Sequence, residues 1–165
     1  MRKTLIAIII LICYCSVTMA QPRAIGGRLG FGFGASYQHD FGEKNMLQVD
    51  LDAIAYNRFG HTWGIQAVAT YNWIFPFKSW SGPGSWNWYA GIGGGIGMLS
   101  EGELEVNFGV AGMIGIEYNF KFPLQLSLDL RPVIGPCFLI EDRSVFISGV
   151  GIFLNSVTIG IRYKF

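Results

Sequence analysis

Nine charged side chains recur at alternate positions of apolar segments, and together they could form one ionic network. They are Arg28, Asp50, Asp52, Glu105, Glu117, Asp129, Arg131, Arg162 and Lys164. Every second side chain of a β-strand points to the same face, so strands would bring these charges to one shared interior. Unpaired charges are costly where water is scarce, which predicts salt bridges among them. A static network is the favoured interpretation, and a gate that opens a narrow pore is the alternative.

Other chemistry finds little support in the sequence. A serine nucleophile needs a base within hydrogen-bond reach, yet neither His39 nor His61 has a serine beside it in a recognisable motif. The glycine string 91–97 lacks the spacing, the following helix and the lysine of a phosphate-binding loop. We therefore predict no catalytic activity, no cofactor and no metal site.

The composition narrows the class of protein. Of 165 residues, 51% are hydrophobic, 14% are charged and 23 are glycine, with a formal net charge of +1. Soluble domains carry about 25% charged residues and about 7% glycine. High hydrophobicity with low net charge excludes a disordered chain. The near-neutral net charge provides no positive surface potential that would attract nucleic acid.

The N-terminus is typical of a secretory signal peptide. Arg2 and Lys3 precede an apolar run over 5–17, which ends shortly before Ala20. This run is shorter than the ~20 residues of a membrane-spanning helix. We predict cleavage after Ala20, which leaves residues 21–165 as one domain with Cys137 as its single cysteine.

Alternation of apolar and polar residues dominates the rest of the chain and predicts strands. One face is bulky and aromatic, whereas the other holds glycine, small polar groups and charges. A soluble barrel would turn its charges to water, while a transmembrane barrel turns its apolar face to lipid. We predict an all-β, eight-stranded antiparallel transmembrane β-barrel with an up-and-down meander, and its strands are expected at 28–38, 47–56, 63–73, 86–98, 104–119, 124–131, 144–153 and 157–165.

The connections follow a barrel pattern only in part. With both termini in the periplasm, 38–46 and 75–85 are expected as the longer external connections, and 57–61 and 99–103 as periplasmic turns. The stretch 132–143 is too long for the periplasmic turn expected there. The aromatic link 75–85 is interpreted as interfacial residues and turn, with contact to lipopolysaccharide or a surface partner as the alternative.

Aromatic residues near strand ends predict two interfacial girdles. Trp63 and Trp73 share a face ten residues apart, which corresponds to a height of roughly 25 Å in a tilted strand. The predicted girdle residues are Tyr37, Trp63, Trp73, Trp86, Trp88, Tyr118 and Tyr163.

The C-terminal third carries a family resemblance. The last strand places Ile161, Tyr163 and the terminal Phe165 on one outward stripe. The segments 115–120, 123–132 and 160–165 carry the sequence motifs on which the resemblance rests. The chain thereby resembles the small outer-membrane β-barrel proteins of Gram-negative bacteria, in an uncharacterised subset. The resemblance implies an outer-membrane location, contact with outer-membrane lipid and lipopolysaccharide, and recognition of the last strand by the barrel-assembly machinery.

The expected function is a structural or surface-interaction role for a monomer. A narrow pore or small-solute transporter, gated by the interior salt bridges, is the first alternative. A lipid-modifying outer-membrane enzyme is the second.

Overall fold

The computed structural model describes residues 22–30, 32–56, 62–77, 83–100, 104–141, 144–153 and 157–165. The predicted signal peptide at 1–20 therefore lies outside the described residues. The described chain contains ten strands and no helix. The strands are β1 (Pro22–Leu29), β2 (Gly32–Asp40), β3 (Asn45–Tyr56), β4 (Thr62–Phe77), β5 (Ser85–Ser100), β6 (Leu104–Asn119), β7 (Leu124–Leu130), β8 (Val133–Glu141), β9 (Ser144–Phe153) and β10 (Val157–Lys164).

Eight of these strands form a closed antiparallel barrel. Strands β1 to β7 pair in sequence order, β7 pairs with β10, and β10 pairs back with β1. The closing register sets Arg28 opposite Gly160. The predicted eight-stranded antiparallel barrel is therefore confirmed. The remaining two strands form a β8–β9 hairpin that joins the wall through pairing of β8 with the first half of β6.

Three strand assignments in the sequence-based prediction were wrong. Strand β1 was not expected, because Gly26 and Gly27 interrupt its alternation of bulky residues. Residues 133–141 were expected in a connection because of their prolines, yet they form β8. The segment 144–153 was expected in the ring and instead pairs only with β8 among the described strands.

Strands β7 and β8 behave as one strand bent at Pro132. Proline has no N–H to donate to a ladder, and here its carbonyl accepts a hydrogen bond from the Gly112 N–H at 3.0 Å. The alternation continues through the bend, since Asp129, Arg131 and Val133 are all at most 2% exposed. The long connection predicted at 132–143 therefore does not exist, and its misfit to the barrel pattern is resolved.

Strand β1, which the prediction lacked, also exchanges the two ends of the barrel to which the later connections are assigned. The end that holds Pro22 and Phe165, here the terminal end, carries the connections 41–44, 78–84 and 120–123. At the opposite, distal end, the chain leads from β1 to β2, from β3 to β4, from β5 to β6 and from β8 to β9. The expectation that 38–46 and 75–85 lie opposite the termini is wrong, because β1 adds one crossing before them.

The outer and inner faces differ in polarity as the alternation predicted. Outward side chains such as Phe33, Val110 and Ile159 are 63%, 58% and 55% exposed. Among the described residues, seventeen polar or charged residues are buried against nine hydrophobic ones. The barrel thus has an apolar outer surface and a mostly polar interior.

Glycine on β5 lets strands on either side approach each other inside the barrel. A Cβ added at Gly95 would lie 2.9 Å from the Val68 side chain and 3.4 Å from that of Val133. Because no side chain stands between them, Val68, Ala111 and Val133 form one buried apolar cluster. The inward glycines therefore serve close packing of a narrow interior.

Candidate functional site

The centre of the interior is a chain of ion pairs around Asp50. Asp50 on β3 pairs with Arg28 on β1 and with Arg131 at the β7–β8 bend, the latter at 2.7 Å. Arg131 also pairs with Asp52. The β7–β8 strand lies four places from β3 in the ring of eight, so Arg131 spans the barrel to the opposite wall.

A second part of the network is organised by Arg162 on β10. Its guanidinium donates to the Ser127 hydroxyl at 2.6 Å and to the Ser36 hydroxyl at 2.9 Å, and it pairs with Asp129 at 3.5 Å. Arg28 also donates to the Thr158 hydroxyl. These hydroxyls accept from some of the guanidinium donors that the carboxylates leave free, while Arg28 Nε and Arg131 Nε have no hydrogen-bond partner among the described residues.

Glu117 on β6 anchors a third part, near the terminal end. It pairs with Arg23 and accepts amide hydrogen bonds at 2.8–3.0 Å from three side chains, which are Asn87, Asn119 and Gln125. Arg23 also pairs with Asp40 at 3.5 Å. Arg23 and Asp40 escaped the sequence-based prediction, because β1 was not recognised and a bulge between Pro22 and Ala24 shifts its alternation.

Two of the nine predicted network residues stand apart. Glu105 is half-buried towards the distal end, and Lys164 is half-buried at the terminal end. Neither forms an ion pair with another residue in the described part of the chain. The other seven, with Arg23 and Asp40, make the six ion pairs that the structure describes.

The network leaves no measurable access to solvent at its centre. Arg28, Asp50, Asp129, Arg131 and Arg162 are each between 0% and 2% exposed. A separate apolar cluster of Met46, Ile74, Tyr89 and Met113 fills space near the terminal end. Cross-barrel ion pairs between buried partners, such as Arg131 and Asp50, can tie opposite walls of the barrel together.

The predicted girdle residues lie on the outside and are unevenly distributed. Trp63 is 64% exposed at the distal end of β4. The other six lie towards the terminal end, where ring contacts include Phe75 with Trp88 at 4.3 Å and Trp86 with Tyr118 at 4.8 Å. The full set placed there is Tyr37, Trp73, Trp86, Trp88, Tyr118 and Tyr163. Among the described residues, the predicted girdle residues are therefore concentrated at the terminal end, with Trp63 alone at the distal end.

The predicted C-terminal stripe lies on the outer face of β10. Ile161, Tyr163 and Phe165 are 49%, 55% and 71% exposed. Tyr163 and Phe165 make an edge-to-face contact with ring centroids 5.5 Å apart. The backbone N–H of Phe165 donates to the Arg23 carbonyl at 3.2 Å, which ties the end of the chain to its first strand.

Two further properties concern only the residues described. No cluster of three or more His, Cys, Asp or Glu side chains there is arranged to hold a metal ion. Within the same residues, no helix has the length and apolar character needed to cross a membrane.

Comparisons with protein-family models, with curated proteins and with solved structures found no match to this chain. The site is accordingly interpreted from its own geometry.

Proposed function

We propose that this chain is an integral outer-membrane β-barrel, exported by a signal peptide at 1–20, whose role is structural. The observation that carries the proposal is the polarity of its two faces, with large apolar side chains outside and ion pairs inside. A closed barrel satisfies the backbone hydrogen bonds of its ring strands internally, which a lipid environment demands. An exterior of this kind would be poorly hydrated in water and well solvated by lipid.

The short connections favour a structural role over the presentation of surface loops. If both termini face the periplasm, as the sequence-based topology assumes, the external connections are those of the distal end. These span two to five residues each between strands. Connections of this length offer little surface to a protein partner, which favours the barrel wall as the main functional surface.

A narrow pore is the alternative, and the buried network argues against it. Conduction needs a hydrated path through the interior. Here Arg131 reaches Asp50 and Asp52 on the opposite wall, and the central charges are at most 2% exposed. An open path would require several of these ion pairs to separate together.

Fractionation, gel mobility and conductance test the proposal. We expect the protein in the outer-membrane fraction, with different gel mobility before and after boiling, and no steady current across a planar bilayer. A soluble periplasmic product would refute the membrane assignment. A steady current from wild type, with unit conductance altered in Asp50→Asn, would instead establish a pore gated by the network.

A further inference from the structure

Strand β9 leaves one edge of the barrel wall unpaired. It pairs with β8 along its length and with no other strand in the described ranges. Its continuation β10 is paired on both sides, but β1 ends at Leu29, opposite Ile159. Beyond that point, no described strand lies next to β9 on the β1 side of the wall.

This free edge lies at the level of the apolar outer surface. β8 pairs with residues 104–111 of β6, and β9 is in register with β8, with Ile152 opposite Ile134 and Ile147 opposite Phe138. Outward residues of this region are Phe108, Val110 and Ile134, which are 51%, 58% and 48% exposed. The rings of Phe108 and Phe138 stack on one another with centroids 5.5 Å apart. If the proposed function holds, the β9 edge therefore faces hydrocarbon.

An unpaired strand edge in hydrocarbon needs a strand as its partner. About half of the N–H and C=O groups of an edge strand point away from its neighbour. Lipid tails can satisfy none of these groups, so an open sheet edge is unstable in the hydrocarbon region. Addition of an extended strand would satisfy all of them.

We propose that β9 pairs with β9 of a second copy of this chain across a twofold axis. β9 is the terminal strand of the sheet order, and each strand of the ring is paired on both sides within the described ranges. A second copy can therefore offer the same edge along the full length of β9. Identical edges pair antiparallel in a closed, isologous dimer. This inference, which rests on the proposed membrane location, replaces the monomer expected from sequence.

A cysteine scan in native outer membranes tests the dimer. Single cysteines are placed at each of residues 144–153 of the full chain and oxidised with copper phenanthroline. Wild type controls for Cys137, which is buried at 6% exposure, while Val110→Cys and Ile134→Cys are outward-facing controls beside the edge. We expect a disulfide-linked dimer that is strongest near one β9 position, declines on both sides, and is absent from the controls.

Three results would overturn the dimer while leaving the membrane assignment intact. One is no dimer from any β9 cysteine in membranes whose barrel still shifts on unboiled gels. Another is equal dimer from the two control variants, which would indicate random collision. The third is a cross-linked product of different mass, which would assign the edge to another protein. Absence of the protein from the membrane fraction would instead refute the proposed function itself.

Discussion

Replacement of Asp50 by asparagine measures how dry the barrel interior is. Asp50 bridges Arg28 and Arg131, and the side chains of all three are 1% exposed. Asparagine has nearly the same shape, so the substitution removes charge without opening a cavity. Two guanidinium groups then lose their shared carboxylate, and removal of one partner from a buried ion pair costs about 3–5 kcal/mol. We expect a loss of that size in the free energy of unfolding.

Asp52→Asn is the matched control on the same strand. Among the described residues Asp52 forms an ion pair with Arg131 alone, and its side chain is 14% exposed. Its loss leaves Arg131 paired with Asp50. We expect a smaller loss, of about 1–2 kcal/mol, typical of one charged hydrogen bond with partial access to water. The difference between the two variants therefore reports burial and the bridging geometry rather than charge alone.

Urea unfolding in phospholipid vesicles, followed by tryptophan fluorescence, provides the assay. With a slope of about 2 kcal/mol per M, Asp50→Asn should lower the urea midpoint by about 1.5–2.5 M and Asp52→Asn by about 0.5–1 M. Gel mobility of unboiled samples checks that each variant forms the barrel before unfolding. Equal shifts for both variants, or no shift for Asp50→Asn, would mean that water reaches the network, and the reasoning would fail.

Three further predictions use substitutions on the wall. Gly95→Ala should cost about 1–3 kcal/mol by overpacking, because its Cβ would meet a buried side chain at 2.9 Å. At Gly94 the nearest atom to an added Cβ lies at 3.6 Å, so Gly94→Ala should be neutral or stabilising by up to about 1 kcal/mol. Equal urea midpoints for Gly95→Ala and Gly94→Ala would contradict this expectation. Ile92→Lys, at a site 54% exposed in mid-strand, should cost about 2–4 kcal/mol in lipid. Phe122→Lys, 57% exposed in a turn, should leave vesicle stability nearly unchanged, whereas an unaffected Ile92→Lys would argue for a water-facing wall. As the resemblance to outer-membrane proteins implies, Phe165→Ala should lower the amount of barrel recovered in the outer membrane, and normal recovery would exclude a role of this residue in assembly.

Much of the wall could be predicted from local sequence. Alternation is a property of neighbouring residues, so the polarity of each face and the inward position of Asp50 or Arg162 follow without knowledge of the fold. Strand β1 was not predicted because Gly26 and Gly27 add neither an apolar nor a polar side chain to its alternation. Strand β8 escaped because its prolines suggested a connection, whereas Pro136 is accommodated within the strand opposite Val150.

The partners within the network could not be predicted in the same way. Nothing in the local sequence relates Arg131 to Asp50, or Arg23 to Glu117, since these pairs are 81 and 94 residues apart. Their meeting depends on the number of strands, the closing register and the tilt of the barrel, which set the residues that share a height inside it.

The sequence by itself determined that most strands of this protein have one apolar and one polar face, because the extended backbone turns successive side chains to opposite sides. Only the tertiary structure decided which end of the barrel holds the connections, which charges pair across the interior, and that β9 ends the sheet. The physical reason is that these features depend on pairing between strands that are distant in sequence. One additional strand such as β1 moves every later connection to the opposite end of the barrel.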